Sequence, residues 1–293
     1  MRILICSDGM PASAAATRLG GIISHGCAAE TVLLGIVEAP PDEAHLRKAL
    51  EQEAQSLRYN SSEPKIVIRA GEPIREILNE TAANSYDLVV IGAQHKGNNG
   101  LYWRSAKTYE VIKAIAPPVL VAIGNCEKLK RFLVCTGGRE FIDPAVQLTG
   151  KLAAALDASM TLLHVMAEPP AMYSDLVALE EDLDQLLQSK SELGLNLRKQ
   201  KETLERLGVK VEVRIMHGIV IDQVFAEVRR GGYDLVVTGS SQGRGVVRHY
   251  IMGDLTRKIL NHAECPVLVA RGGPSQHAGF LARLKRIFSA GPG

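Results

Sequence analysis

The chain repeats itself. Arg2-Ile-Leu-Ile-Cys6 returns 129 residues on as Arg131-Phe-Leu-Val-Cys135, and Thr31-Val-Leu-Leu-Gly-Ile-Val37 returns at the same offset as Met160-Thr-Leu-Leu-His-Val-Met166. Tyr86-Asp-Leu-Val-Val-Ile-Gly92 matches Tyr233-Asp-Leu-Val-Val-Thr-Gly239 at an offset of 147. Pro118-Val-Leu-Val-Ala122 then matches Pro266-Val-Leu-Val-Ala270 at 148. The second copy therefore carries 18 extra residues between its second and third strands, and one more after its fourth. Matching blocks in one order mean two copies of one domain, not one large fold. The boundaries read as a first domain over 1–124, a connector over 125–130, a second domain over 131–271 and a tail over 272–293.

Within each copy, short apolar runs alternate with helical patterns. In the first, strands are expected at 2–7, 31–37, 65–69, 87–91 and 118–123, and helices near 11–25, 42–58, 72–84 and 105–115. Strands of near-continuous Val, Ile and Leu are those of a parallel sheet buried on both faces. Right-handed crossovers between them give a doubly wound α/β unit. The fold class is thus α/β, with two tandem, Rossmann-like, five-stranded parallel sheets. In the extra stretch of copy two, 171–207, Leu176, Leu179, Leu183, Leu186 and Leu187 recur at helical spacing, which predicts a longer surface helix on its own domain. The connector is too short for the copies to swing apart. The Pro-Val-Leu-Val strands that close each copy are placed to pair across the contact, which would make an intrachain pseudo-dimer; association of two chains stays open.

Composition removes several classes of function. Net charge is +2, with 34 basic and 32 acidic residues, so no global field favours nucleic acid or an anionic membrane. Aromatic residues at 4% are too few for base-stacking platforms. Five cysteines, odd in number and without C-x-x-C spacing, read as free thiols of a reducing cytoplasm. The opening Met-Arg-Ile-Leu-Ile-Cys-Ser-Asp-Gly reads as a strand, not a signal peptide. No stretch approaches the ~20 apolar residues of a membrane span.

In a doubly wound sheet the ligand cleft lies beyond the carboxyl ends of the strands. After the fourth strand of copy two, Gly239-Ser-Ser-Gln-Gly243-Arg-Gly245 leads through Tyr250-Ile-Met-Gly253-Asp254 into Leu255-Thr-Arg-Lys-Ile-Leu260. Glycines permit close backbone approach, and the start of the following helix offers free N–H groups and a positive dipole end. Ser240, Ser241 and Arg244 add donors. This is the chemistry of a phosphate-binding loop.

The order of segments makes the resemblance specific. Asp8-Gly9 follows the first strand; Leu162-Leu-His-Val165, Gly71-Glu-Pro-Ile-Arg-Glu-Ile77, the Asp-Leu-Val-Val-x-Gly block, the glycine loop and a closing Cys265-Pro-Val-Leu-Val-Ala270 complete the set. This pattern resembles the universal stress protein family in both copies, almost end to end. The resemblance implies the adenine nucleotide alpha hydrolase-like form of the sheet. Members of that family that bind ATP carry Gly-x2-Gly-x9-Gly-Ser/Thr after strand 4 and an Asp after strand 1. Carried over, the nucleoside would meet Asp8 in copy one, and Gly137 and Val165 in copy two. The phosphates would meet Gly239, Ser240, Gly243, Gly253 and Asp254, with Gly92 as the counterpart in copy one.

Neither copy holds the whole pattern. Three residues separate Gly239 from Gly243 where the family has two, Asp254 stands in the Ser/Thr position, and Gly137 replaces the strand-1 Asp. Copy one keeps Asp8 but has Ser105 and Ala106 where the family has Gly and Ser/Thr. A carboxylate at 254 would repel a phosphate, while as a helix N-cap it has an ordinary structural role. The reading is therefore a non-enzymatic stress-response scaffold with eroded nucleotide clefts. Its alternative is a switch that binds ATP or AMP in the second domain, with at most slow hydrolysis.

Other polar residues are less informative. Asp8 reads as a loop carboxylate bonding local backbone N–H groups. His164 reads as a satisfied strand residue, and His95, His217, His249 and His262 show no metal or acid–base spacing. In the tail, Phe280, Leu281, Leu284, Ile287 and Phe288 share one helical face, with Arg283, Lys285 and Arg286 off it. Such a basic amphipathic segment over 277–289 can meet a membrane surface or a protein, or fold back on its own domain.

Overall fold

Ile3, Leu4 and Ile5 are all fully buried, so the first strand has no solvent face. The computed structural model describes residues 1–10, 13–37, 43–58, 63–92, 106–137, 143–166, 183–242, 250–251 and 253–271. Copy one runs β1 (Arg2–Cys6), α1 (Ala14–Cys27), β2 (Glu30–Val37), α2 (Glu43–Leu57), β3 (Lys65–Ala70), α3 (Pro73–Ala83), β4 (Leu88–Gly92), α4 (Ala106–Ala114) and β5 (Val119–Ala122). Copy two runs β6 (Arg131–Cys135), α5 (Asp143–Ala155), β7 (Ser159–Met166), α6 (Leu183–Gln188), α7 (Glu192–Glu205), β8 (Val211–His217), α8 (Val220–Gly231), β9 (Leu235–Gln242), β10 (Tyr250–Ile251), α9 (Asp254–His262) and β11 (Val267–Arg271).

Each copy is the expected doubly wound parallel sheet, and the two are one sheet. The strand order is β3-β2-β1-β4-β5-β11-β9-β6-β7-β8, with β10 paired to β9. The join is antiparallel, with Val119, Leu120 and Val121 opposite Val269, Leu268 and Val267. All six side chains are at most 1% exposed. Burying each contributes roughly 1.5–3 kcal/mol, which explains why two Pro-Val-Leu-Val strands meet instead of facing water. Alternate residues of each strand enter separate apolar layers. Ile3, Ile5, Leu120, Phe132 and Leu268 face one layer, and Leu4, Val119, Val121, Leu133 and Val267 the other. Both layers continue across the join.

The connector is anchored. Leu129 is 2% exposed, and the Lys130 and Arg131 amides donate to Asp234 Oδ2 at 2.8 and 3.0 Å. Gly124 has φ +65°, and a Cβ there would lie 2.9 Å from the Glu264 carbonyl oxygen, so only glycine lets this turn lie against the second half.

The extra stretch of copy two differs from the expected single helix. The chain breaks at Ser189-Lys190-Ser191, and α7 starts afresh because Ser191 caps it, its hydroxyl accepting from the Gly194 amide at 3.1 Å. Leu183, Leu186 and Leu187 pack against the core from α6, and Leu176 and Leu179 lie outside the described residues.

Candidate functional site

The carboxyl ends of β6, β7, β8 and β9 lie at one end of the second half, because these strands are parallel. Gly137 follows β6, and among the described residues nothing lies within 4 Å of where a side chain would begin. Beneath it, Thr136 is held through its amide, its hydroxyl and its carbonyl. Its amide donates to Leu163 O at 2.9 Å, its hydroxyl to Gln200 Oε1 at 3.1 Å, and its carbonyl accepts from His164 Nδ1 at 2.9 Å. His164 is thus satisfied by the backbone. Val165 is half-buried, packed on the apolar layer below.

The glycine segment is built differently from the expected loop. Gly239 and Ser240 are strand residues, opposite Ala270 and Arg271 of β11. β9 continues to Gln242 and turns back, so that Ser241 and Gln242 pair antiparallel with Ile251 and Tyr250. The alternation of small polar residues reads as a loop, yet a neighbouring strand and a returning one supply partners for its backbone. Gly243 lies outside the described residues. The Gly239 carbonyl accepts from the Thr256 hydroxyl at 3.0 Å, and Thr238 and Thr256 hydroxyls are 2.9 Å apart, which pins the first turn of α9 to the strand.

At the start of α9 the cap position belongs to Gly253, with φ −63° and ψ 162°, a residue with no side chain to cap the helix. Asp254 is therefore not the N-cap; it is the first helical residue, and it is exposed. Its carboxylate occupies the positive end of the helix dipole. A phosphate approaching the first-turn N–H groups would meet that charge.

The first half makes its own cleft at the other end of the sheet. Because β5 and β11 are antiparallel, the carboxyl ends of β1 and β4 point away from those of β6 and β9. Asp8 and Gly92 therefore belong to one cleft, and Gly137, Val165, Gly239, Ser240, Gly253 and Asp254 to another. The strand-1 aspartate of copy one cannot complete the glycine segment of copy two. Asp8 is exposed and accepts from the Met10 amide at 3.0 Å, holding its own loop. Gly92 ends β4 opposite Ala122, and residues 93–105 lie outside the described residues.

Two networks were not legible as motifs. Below the loop after β1, Glu53 accepts from the hydroxyls of Ser7 at 2.9 Å and Thr17 at 2.7 Å, with Ser13 2.9 Å from Ser7. The repeat puts Gln200 at the position of Glu53 and Val146 at that of Thr17. Gln200 is 1% exposed and its Nε2 has no hydrogen-bond partner. Beneath α3 and α8 lie buried carboxylates, Glu80 and Glu227, each bonded to a tyrosine and an arginine.

Among the described residues, no three His, Cys, Asp or Glu side chains gather as a metal-holding group. No helix there is long and apolar enough to cross a membrane. The thiols are not activated. Burial pushes Cys135 up to about 12, and burial with nearby Glu80 does the same to Cys6.

The sequence profile of the universal stress protein family matches residues 1–122 and again residues 128–271. A universal stress protein of Synechocystis is 20% identical over 92% of this chain and 99% of its own length. One from Methanocaldococcus jannaschii is 26% identical over 51% of this chain and 86% of its own. Among solved structures, a universal stress protein from Archaeoglobus fulgidus superposes with a TM-score of 0.69 at 17% identity, covering 93% of this chain and 98% of the other.

Proposed function

Because the chain belongs to the universal stress protein family over both of its halves, we propose that it acts as a non-enzymatic regulatory protein of the stress response, a two-domain scaffold with eroded nucleotide clefts. One observation carries this reading. The helix start that would hold a phosphate in copy two presents the exposed carboxylate of Asp254 instead of a hydroxyl. Two anions at one helix end repel, and the half-charge of the dipole cannot offset both. Gly239 adds to the argument, since its carbonyl is taken by Thr256 and its backbone is committed to β11. In the family pattern the strand-1 aspartate meets the nucleoside, and copy two has Gly137 there.

A second reading has one observation in its favour. Among the described residues nothing lies within 4 Å of a Cβ at Gly137 or Gly253, and the cap residue of α9 has no side chain to take its first amides. An adenine nucleotide seated by the backbone alone would use Gly137, Val165 and Gly253, making copy two a weak ATP or AMP switch. Titration with ATP, ADP and AMP, with and without Mg²⁺, separates the readings. The scaffold requires no saturable binding below millimolar ligand.

In this proposal the protein works in the cytoplasm, where its five free thiols stay reduced. The near-neutral charge fits a protein partner better than nucleic acid. The join of β5 with β11 fits a homodimer contact made intrachain by duplication.

A further inference from the structure

Three donor side chains that the sequence keeps apart meet at the carboxyl ends of β7 and β8. Met166 is the register partner of His217, and His164 that of Ile215. Val165 and Met216 pack on one apolar layer, Leu162 and Ile215 on the other. Successive strand residues alternate between faces, so His164, Met166 and His217 all stand on the side of Leu162 and Ile215. Facing positions on neighbouring strands are about 4.8 Å apart and alternate ones along a strand about 6.6 Å, so the three make a triangle with sides of about 5 to 8 Å. All three are half-buried, above the apolar floor of Leu162, Val213 and Ile215.

The ring of His164 is already oriented. Its Nδ1 lies 2.9 Å from the Thr136 carbonyl oxygen. A carbonyl only accepts, so Nδ1 carries the proton and Nε2 a lone pair. A backbone carbonyl on the far nitrogen is how metal-binding histidines are held in place. Thr136 is in turn fixed by Leu163 and Gln200. Copy one carries other residues here: the repeat puts Gly35, Val37 and Ala70 at these positions, with Val37 opposite Ala70. There the covering helix α2 comes so close that a Cβ on Gly35 would lie 2.5 Å from Leu50. Copy two holds an imidazole at that point.

We propose that His164, Met166 and His217 form a binding site for a copper(I) ion. Two imidazole nitrogens and a thioether sulfur suit copper, and the thioether selects Cu(I) over zinc and the harder divalent ions. All three donors are uncharged as ligands, which favours a monovalent ion over a dication in this half-buried place. Val165 faces the other layer, so the inference stands whether or not a nucleotide meets it.

Anaerobic competition for Cu(I) between the full chain and bicinchoninate tests it. The five free cysteines also take Cu(I), so wild type is compared with Met166→Val/His217→Ala, which keeps every thiol and the bond from His164 to Thr136. Matching urea midpoints establish that the fold is kept. Met166→Leu, close to the original in volume, is a second and milder variant. Wild type is expected to retain one more Cu(I) per chain than the double variant, and Met166→Leu should weaken that ion's binding about ten-fold or more. Zinc in about ten-fold excess should not displace it. In protein carrying ¹³C at the methionine methyls, the signal missing from Met166→Leu should shift as that ion is added. Equal copper uptake by wild type and the double variant overturns the proposal. So does a Met166 methyl signal that stays in place, or displacement of the ion by zinc.

Discussion

The Tyr86 hydroxyl donates a 2.6 Å hydrogen bond to Glu80, and one repeat later Tyr233 donates to Glu227, also at 2.6 Å. Glu80 and Glu227 are 2% and 0% exposed. Each carboxylate also holds an arginine, Arg69 or Arg214, from the neighbouring edge strand. Arg2 and Arg131 lie over the two tyrosine rings at 4.9 and 5.3 Å, and their amides donate to Asp87 and Asp234. The Tyr-Asp pair opening each fourth strand is thus the staple between that strand, the first strand and the preceding helix. Tyr86→Phe or Tyr233→Phe leaves a buried carboxylate short of a donor and should cost about 1–2 kcal/mol each in urea unfolding. No loss in either variant would mean that the remaining donors, Asn84 among them for Glu80, satisfy the carboxylates.

The same pair predicts a pH response. Burial works against ionisation of Glu80, but Tyr86, Arg69 and Asn84 outweigh it and hold its carboxyl below the usual range. A depressed value stabilises the fold above the unfolded value, about pH 4.3, and that contribution is lost as pH falls below it. Burial and the bond to Glu80 push the Tyr86 phenol up. Its contribution is present below about pH 10 and is lost as pH rises beyond. Urea midpoints from pH 8 to 11 should therefore fall for wild type and fall less for Tyr86→Phe; parallel curves would contradict the assignment.

Comparing the copies identifies a repairable defect. Thr17 serves Glu53 in the first half; the repeat puts Val146 at the position of Thr17, and Gln200, whose Nε2 is unpartnered, at that of Glu53. Val146→Thr should offer that amide an acceptor and raise the stability of the second domain by about 1 kcal/mol. A lower melting temperature would show that the hydroxyl cannot reach it.

Arg271 joins the halves from the end of β11. It is 8% exposed, and its guanidinium donates to the carbonyls of Pro117, Ile112 and Ile115, at and beyond the C-terminus of α4 in the other half. Arg271→Leu leaves those carbonyls without their donor, at a cost of roughly 1–3 kcal/mol. Faster hydrogen exchange across α4, with copy two's sheet unchanged, is the expected signature; uniform exchange in both halves would contradict it.

Architecture was legible because it depends on patterns. The offset blocks gave two copies, and runs such as Leu88–Ile91 gave strands buried on both faces. The clefts were less legible. Gly239-Ser240 looks like a loop by composition, and only the pairing with Ala270 and Arg271 makes it strand. Asp254 suits a cap by residue type, and the chain enters α9 one residue earlier. Nothing in the local sequence marks Glu80 and Glu227 as buried, because an acidic side chain reveals its burial only through partners from other elements. The recurrence of Glu and Tyr six residues apart in both copies was the available signal.

In the proposed function the duplicated fold has kept the stress-protein scaffold and lost its phosphate site. Titration calorimetry of the full chain with Mg²⁺-ATP measures that loss. A lost phosphate site leaves no saturable binding up to about 1 mM, the range where association is worth only ~4 kcal/mol. A micromolar dissociation constant that disappears on Gly239→Val would contradict it.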